Sequence, residues 1–260
     1  MRLMTYNVLT GGRDADGPGR LALIVDTIRR VNPDLLVLNE CNGFEQDGYR
    51  TLYRLEAELG MRGVLAEVES GFHVAFFHRI GRLTEARLLT REVHHAALAA
   101  TLEVGGTTLR VIGAHLCPFG GDARLLEVQH LIRFLREDNV IIAGDLNALS
   151  PHDTPRLQSE RWLPRRRVRH ELAGSPGVLD TRAVAVLEAC GLVDTFRANG
   201  TSAPTVQTAL CPGWQDYQVR IDYAFASLGA AERVRKAQRI DGPLADAASD
   251  HYALAIDVEI

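Results

Sequence analysis

Short apolar runs that break off into polar, chemically capable residues recur along the chain. Residues 140–143 run into Gly144, Asp145 and Asn147, and residues 35–38 run into Asn39 and Glu40. Four apolar residues are too few for a helix and read as strands buried on both faces, which leaves the polar residues at one rim of a sheet. Asp145 and Asn147, two apart in extended backbone, are expected to point the same way and to converge on a water or a phosphoryl oxygen. The same Gly-Asp-x-Asn sequence also makes an ordinary Asx turn, so the pair does not define a site alone.

Between these runs the period changes. Leu21, Ile24, Val25, Ile28 and Val31 follow helical spacing until Asn32-Pro33 stops it. Helices are likewise predicted over residues 47–59, 122–137 and 181–189, the second of these with Leu125, Leu126, Val128, Gln129, Ile132 and Leu135 on one side. Strands are predicted over residues 3–9, 61–69, 73–79, 82–90, 92–104 and 107–116. The last two meet across Gly105-Gly106, a two-residue hairpin signal. This portion reads as an antiparallel meander and not as a repeated βαβ unit. Further strands are predicted over 205–210, 218–227, 233–240 and 252–260. Residues 149–180 show no sustained period and form a long loop carrying RWLPRRRVRH.

With 260 residues, 46% of them hydrophobic, the chain can bury a large core, and no linker composition divides it. One domain over residues 1–260 is expected. The net charge of −4 argues against a protein that simply coats nucleic acid. No apolar stretch approaches the roughly 18 residues of a membrane span, and no leader pattern opens the chain. A cytoplasmic protein, off the membrane and monomeric by default, is expected. Cys41, Cys117, Cys190 and Cys211 show no C-x-x-C spacing, which points to free thiols.

Asn7, Glu40, His115, Asp145, Asn147, Asp222, Asp250 and His251 are scattered over the sequence, yet each lies at or near a predicted strand end. Strand ends gather at one rim, where open α/β architectures place their clefts. A carboxylate ending a buried strand serves either as a salt-bridge partner or as a ligand to a hard cation. Oxygen ligands, amides and imidazoles without a cysteine set favour Mg²⁺ or Mn²⁺ over structural zinc.

TYN (5–7), LNE (38–40), GDLN (144–147), RIDY (220–223) and SDH (249–251), in this order, resemble the endonuclease/exonuclease/phosphatase family of divalent-metal phosphoesterases. The resemblance spans nearly the whole chain. It implies an α/β fold, a four-layer α/β/β/α sandwich of two packed mixed sheets with helices on the outer faces. It implies Glu40 as the principal Mg²⁺ (or Mn²⁺) ligand, with Asn7 supporting and Asp250 assisting metal or water. It implies Asp145 as the residue that orients or deprotonates water and Asn147 as a phosphate contact. His251 would touch the phosphate while Asp222 orients it, and His115 matches the histidine of the DNase-like, sphingomyelinase-like and phosphoinositide-phosphatase-like branches. The family usually carries Gln where this chain has Asn39, which puts transfer of subfamily identity in doubt.

For the substrate, His73 is an extra imidazole on a meander strand. Alternation along 92–104 lets only one of His94 and His95 face inward. Arg165, Arg166 and Arg167, beside Trp162, form either a phosphate clamp with a stacking ring or a solvated loop. A net-acidic chain with one arginine cluster fits a compact phosphorylated small molecule better than long DNA, with nucleic acid as the alternative partner. A non-catalytic binding module is a third reading, opposed by the complete acidic and histidine set.

Overall fold

In the computed structural model, residues 1–14, 19–135, 139–159 and 167–260 are described. Twelve strands among them form two six-stranded mixed sheets. The first runs in the order β11 (Val234–Ile240), β12 (Ala253–Val258), β1 (Arg2–Asn7), β2 (Leu35–Asn39), β4 (Val74–His78), β3 (Arg62–Ala66). The second runs β5 (Arg82–Leu89), β6 (Ala97–Val104), β7 (Thr107–His115), β8 (Val140–Asp145), β10 (Asp222–Ser227), β9 (Leu192–Asp194). The meander therefore divides between the sheets after β4.

Alternation along buried strands builds the four layers. Leu35 and Val37 pack with Phe76, Leu98, Val111, Ile141 and Ala143 between the sheets. Leu36 and Leu38 face outward and meet Ile24 and Ile28 of the helix Leu21–Val31. On the far side, Ile112, Ile142 and Phe225 receive Val128 and Leu131 of the helix Gly121–Leu131 and Val184 and Leu187 of the helix Arg182–Ala189. A strand covered on both faces must be apolar throughout, which is why these runs lack alternating polar residues.

Several elements depart from the sequence reading. The stretch 149–180, read as a loop, includes the helix Thr154–Ser159, and the strand read over 218–227 begins only at Asp222. Residues 205–210 make only a bridge, Val206 pairing with Val219 and His251. Residues 92–95 are bends, with β6 starting at Ala97. The helix Gln46–Leu59 opens on three left-handed residues, Asp47, Gly48 and Tyr49. All four cysteines are free. Among the described residues no helix is long and apolar enough to cross a membrane.

Candidate active site

Strand register assembles the site. β7 and β8 run parallel with His115 opposite Asp145, and β10 runs antiparallel to β8 with Asp222 opposite Asp145. These three side chains form one row across neighbouring strands. In the other sheet Asn7 lies opposite Asn39. Asn39 joins the sheets, since its Nδ2 donates to the Ala114 carbonyl at 2.9 Å and its Oδ1 accepts from the Asp145 N–H at 3.1 Å. Gly144 is required beside it: its φ is +145°, and any Cβ would run into the Ala114 carbonyl.

Asn7 ties two carboxylates together. Its Nδ2 donates to Glu40 Oε1 and to Asp145 Oδ2, each at 3.1 Å, while its Oδ1 accepts from the Leu9 N–H at 3.0 Å. Glu40 follows β2 with φ +60°, and its Oε2 takes the Thr10 N–H at 2.9 Å. Left-handed backbone at a non-glycine residue costs free energy and concentrates at functional sites. Asn147 is the second case, with φ +48°. Its N–H donates to Asp145 Oδ1 at 2.8 Å and its Nδ2 to the Leu116 carbonyl at 3.0 Å. Asp145 and Asn147 are thus joined by an Asx turn and not by extended alternation, although both line the same cleft.

Two imidazoles converge on Asp145. His115 Nε2 lies 3.6 Å and His251 Nε2 3.8 Å from its Oδ2. The other nitrogen of His251, Nδ1, is 2.9 Å from Asp222 Oδ2. Burial disfavours charge on His251, but Asp222, Asp250 and Asp145 together outweigh it and hold this imidazole well above its ordinary pKa. For His115, burial and then the neighbouring histidines push the other way, so it stays neutral. Burial, and next Asp222, raise Asp145, and burial raises Glu40.

The acidic residues fit a divalent cation. Among the described residues neither Glu40, Asp145 nor Asp250 pairs with an arginine or lysine, and the buried Asp250 Oδ1 has no hydrogen-bond partner. Asp145, Asp222 and His251 also bring one ligand atom each within 4.8 Å of one another. Asp222 and His251 already satisfy each other, so the open donors are the carboxylates of Glu40, Asp145 and Asp250, a hard-oxygen set.

These residues open into a cleft of about 480 Å³ lined also by Phe72, His95, Phe119 and Arg169. His73 does not reach it. His73 is buried, accepts the Val68 N–H on Nδ1 at 3.0 Å and holds Glu45 with Nε2 at 3.0 Å, so both nitrogens are occupied away from substrate. Arg165, Arg166 and Trp162 lie outside the described residues. Arg167 turns to Glu171, 2.9 Å away, and lines no part of the cleft. Among the described residues of the same arginine run, Arg169, two positions on, lines it. The backbone explains the choice: Arg124 donates to the Arg169 carbonyl at 2.7 Å and anchors that residue at the rim.

Carboxylates with no arginine or lysine partner among the described residues, beside a charged imidazole at the rim of packed sheets, are what cation-assisted hydrolysis of a phosphoester requires. The fold and cleft define a hydrolase of that class. The sequence makes the assignment particular: residues 4–251 match the Endonuclease/Exonuclease/phosphatase family, and the chain belongs to it. Its members are divalent-metal-dependent phosphoester hydrolases, and this chain is an enzyme of that kind. Among curated proteins none matches. Similar solved structures include the 3′ phosphatase NExo from Neisseria bound to a product DNA hairpin, at 17% identity and TM-score 0.71 with 100% of each chain covered. An AP endonuclease from Archaeoglobus fulgidus is 18% identical with TM-score 0.70, again over 100% of each chain. A humanised TDP2 from D. rerio is 15% identical with TM-score 0.65, covering 98% of this chain and 97% of that one.

Proposed function

We propose that the protein hydrolyses the phosphoester of a compact phosphorylated small molecule with Mg²⁺ or Mn²⁺ as its cation. The observation that carries this reading is the convergence of His115 Nε2 and His251 Nε2 on Asp145 Oδ2. Glu40 would hold the cation with help from Asp250, and Asn7 keeps Glu40 and Asp145 aligned. Bound there, the cation supplies neutralisation of charge on the phosphoryl oxygens. Asp145 orients the attacking water and takes its proton. His251 donates from Nε2 to a phosphoryl oxygen, and Asp222 holds its Nδ1–H so that the ring cannot turn. Asn147 has one amide N–H engaged by Leu116 and a second for a phosphoryl oxygen. His115, neutral, offers a hydrogen bond without adding charge. Arg169, on the cleft lining, would clamp an anion there, in the role the sequence assigns to Arg165, Arg166 and Arg167.

Among the described residues one arginine lines the cleft, which, with the net charge of −4, supports a small substrate over a long backbone. The nuclease alternative draws on the Neisseria phosphatase, whose structure holds a DNA hairpin. Hydrolysis of matched panels of nucleotides, sugar phosphates, lipid phosphates, duplex DNA and RNA, with and without Mg²⁺ or Mn²⁺, tests both. Long DNA degraded while small phosphoesters persist would select the nuclease. No hydrolysis of any substrate with either metal would overturn the reading.

A further inference from the structure

Beyond His115, one side of the cleft is left unused by these roles. Outward from Asp145, rings follow one another: His115, then His95 at 4.3 Å between centroids, then His94 at 4.8 Å, then Phe119 at 5.3 Å. Phe72 flanks the row, 4.6 Å from His95 and 6.3 Å from His115. The row climbs from His115, 2% exposed, to Phe119, 63% exposed. A large apolar ring left open at the mouth of a polar cleft is the informative departure from burial.

The wall is held in place. Glu127, buried on the helix Gly121–Leu131, accepts the His94 N–H at 2.6 Å and the Cys117 N–H at 2.8 Å, fixing the segments that carry His94, His95 and Phe119. His95 Nδ1 lies 3.2 Å from Ser70 Oγ. Burial, then His94, push His95 down to about 4, so at neutral pH it offers a ring face and no charge. The wall therefore suits a flat, uncharged partner and not a second phosphate.

We propose that this row of rings is a stacking subsite for a planar aromatic group, such as a nucleobase, joined to the phosphoester, with Phe72 and Phe119 as its platforms. The inference rests on the functional reading only in placing the phosphoester at Asp145. Rings stack on aromatic side chains with little demand on identity, which makes the group's planarity the feature selected.

Adenosine 5′-monophosphate and ribose 5-phosphate share the phosphate and its ester oxygen and differ by the base. Their Kd values, measured by calorimetry with Mg²⁺ on Asp145→Asn to suppress turnover, separate stacking from chemistry. The nucleotide is expected to bind about tenfold tighter, and adding Phe119→Ala, an exposed position, should bring the ratio close to one. Equal affinities, no binding of the nucleotide, or a ratio that survives both Phe119→Ala and Phe72→Ala would overturn the subsite. Metal-dependent hydrolysis by the wild type would leave the functional reading standing in that event. Base-dependent binding without hydrolysis of any phosphoester would overturn that reading alone.

Discussion

Glu40 sits in left-handed backbone with one carboxylate oxygen on Asn7 and the other on the Thr10 N–H. Glu40→Gln keeps that shape and removes the charge that attracts a hard cation. We expect the Mg²⁺ concentration for half-maximal activity to rise by at least about tenfold, as loss of a metal contact does, with the fold unchanged by circular dichroism. An unaltered metal requirement would take Glu40 out of the cation's shell. Asp222 acts through His251, so Asp222→Asn and His251→Ala should each lower kcat, and the double variant should lose little more than the worse single one. Losses that multiply would mean the two are not one unit. The gathering of Asn7, Glu40, His115 and Asp145 at one rim was legible because a strand end is a position that sequence periodicity locates, whereas Asp222, in the middle of the strand predicted over 218–227, proves to start β10. Arg169 was not: choosing among clustered arginines depends on the buried Arg124, which holds the Arg169 carbonyl from another element.

The helix Gly121–Leu131 shows where periodicity misleads. Leu126 reads as inward but is 56% exposed, while Arg124 and Glu127 are buried. These charges face inward because rim backbone needs partners there: Arg124 also donates to the Cys117 carbonyl at 3.1 Å, and Glu127 accepts two N–H groups. A burial rule based on apolarity cannot anticipate a helix whose inner face serves loops. Glu127→Gln leaves one acceptor where two are needed, and a buried unsatisfied N–H costs about 1–3 kcal/mol. Urea denaturation should register a loss of that size; no loss would mean that the contacts contribute nothing net. The short helix Pro243–Ala248 and the bends at 92–95 were equally hidden, being too brief to carry a period.

Across the whole molecule, the two sheets meet at Asn39, a fully buried residue of the first sheet whose side chain bonds to two neighbouring strands of the second, β7 and β8. Asn39→Gln restores the residue usual in the family but inserts a methylene where no space is free. Overpacking of this kind costs about 1–3 kcal/mol, and unfolding midpoints should fall accordingly; an unchanged midpoint would show that the seam has slack. His95 and His170 each contribute a loss of stability in acid, opposite in sign to the contributions of Asp145, Glu40 and His251, whose folded values are raised. Burial lowers His95 to about 4 and His170 to about 3, whereas in the unfolded chain both titrate near 6.5. Below about pH 6.5 the unfolded state therefore binds more protons at these two residues, and their contribution to stability declines toward the folded values by up to about 1.4 kcal/mol per group per pH unit. Urea midpoints at about pH 7.5 and about pH 5, compared between the wild type and His170→Asn, check the sign: the variant's stability at the lower pH relative to the higher should exceed that of the wild type, and an unchanged difference would remove His170 from the balance.

The strand order also dictates a schedule for synthesis. The second sheet is built from one uninterrupted stretch, β5 to β10, and can pair as it leaves the ribosome. The first cannot, since β1 lies between β2 and β12, and β12 is the last of these twelve strands in chain order. Pairings this distant in sequence close slowly. The nascent chain thus carries β1 with one edge unpaired until β12 has been made, and Asn7, Glu40 and Asp145 wait for His251, just before it. Catalytic competence arrives as a single late event, so ribosome-stalled chains lacking residues 249–260 should be inert and prone to aggregate along that open edge.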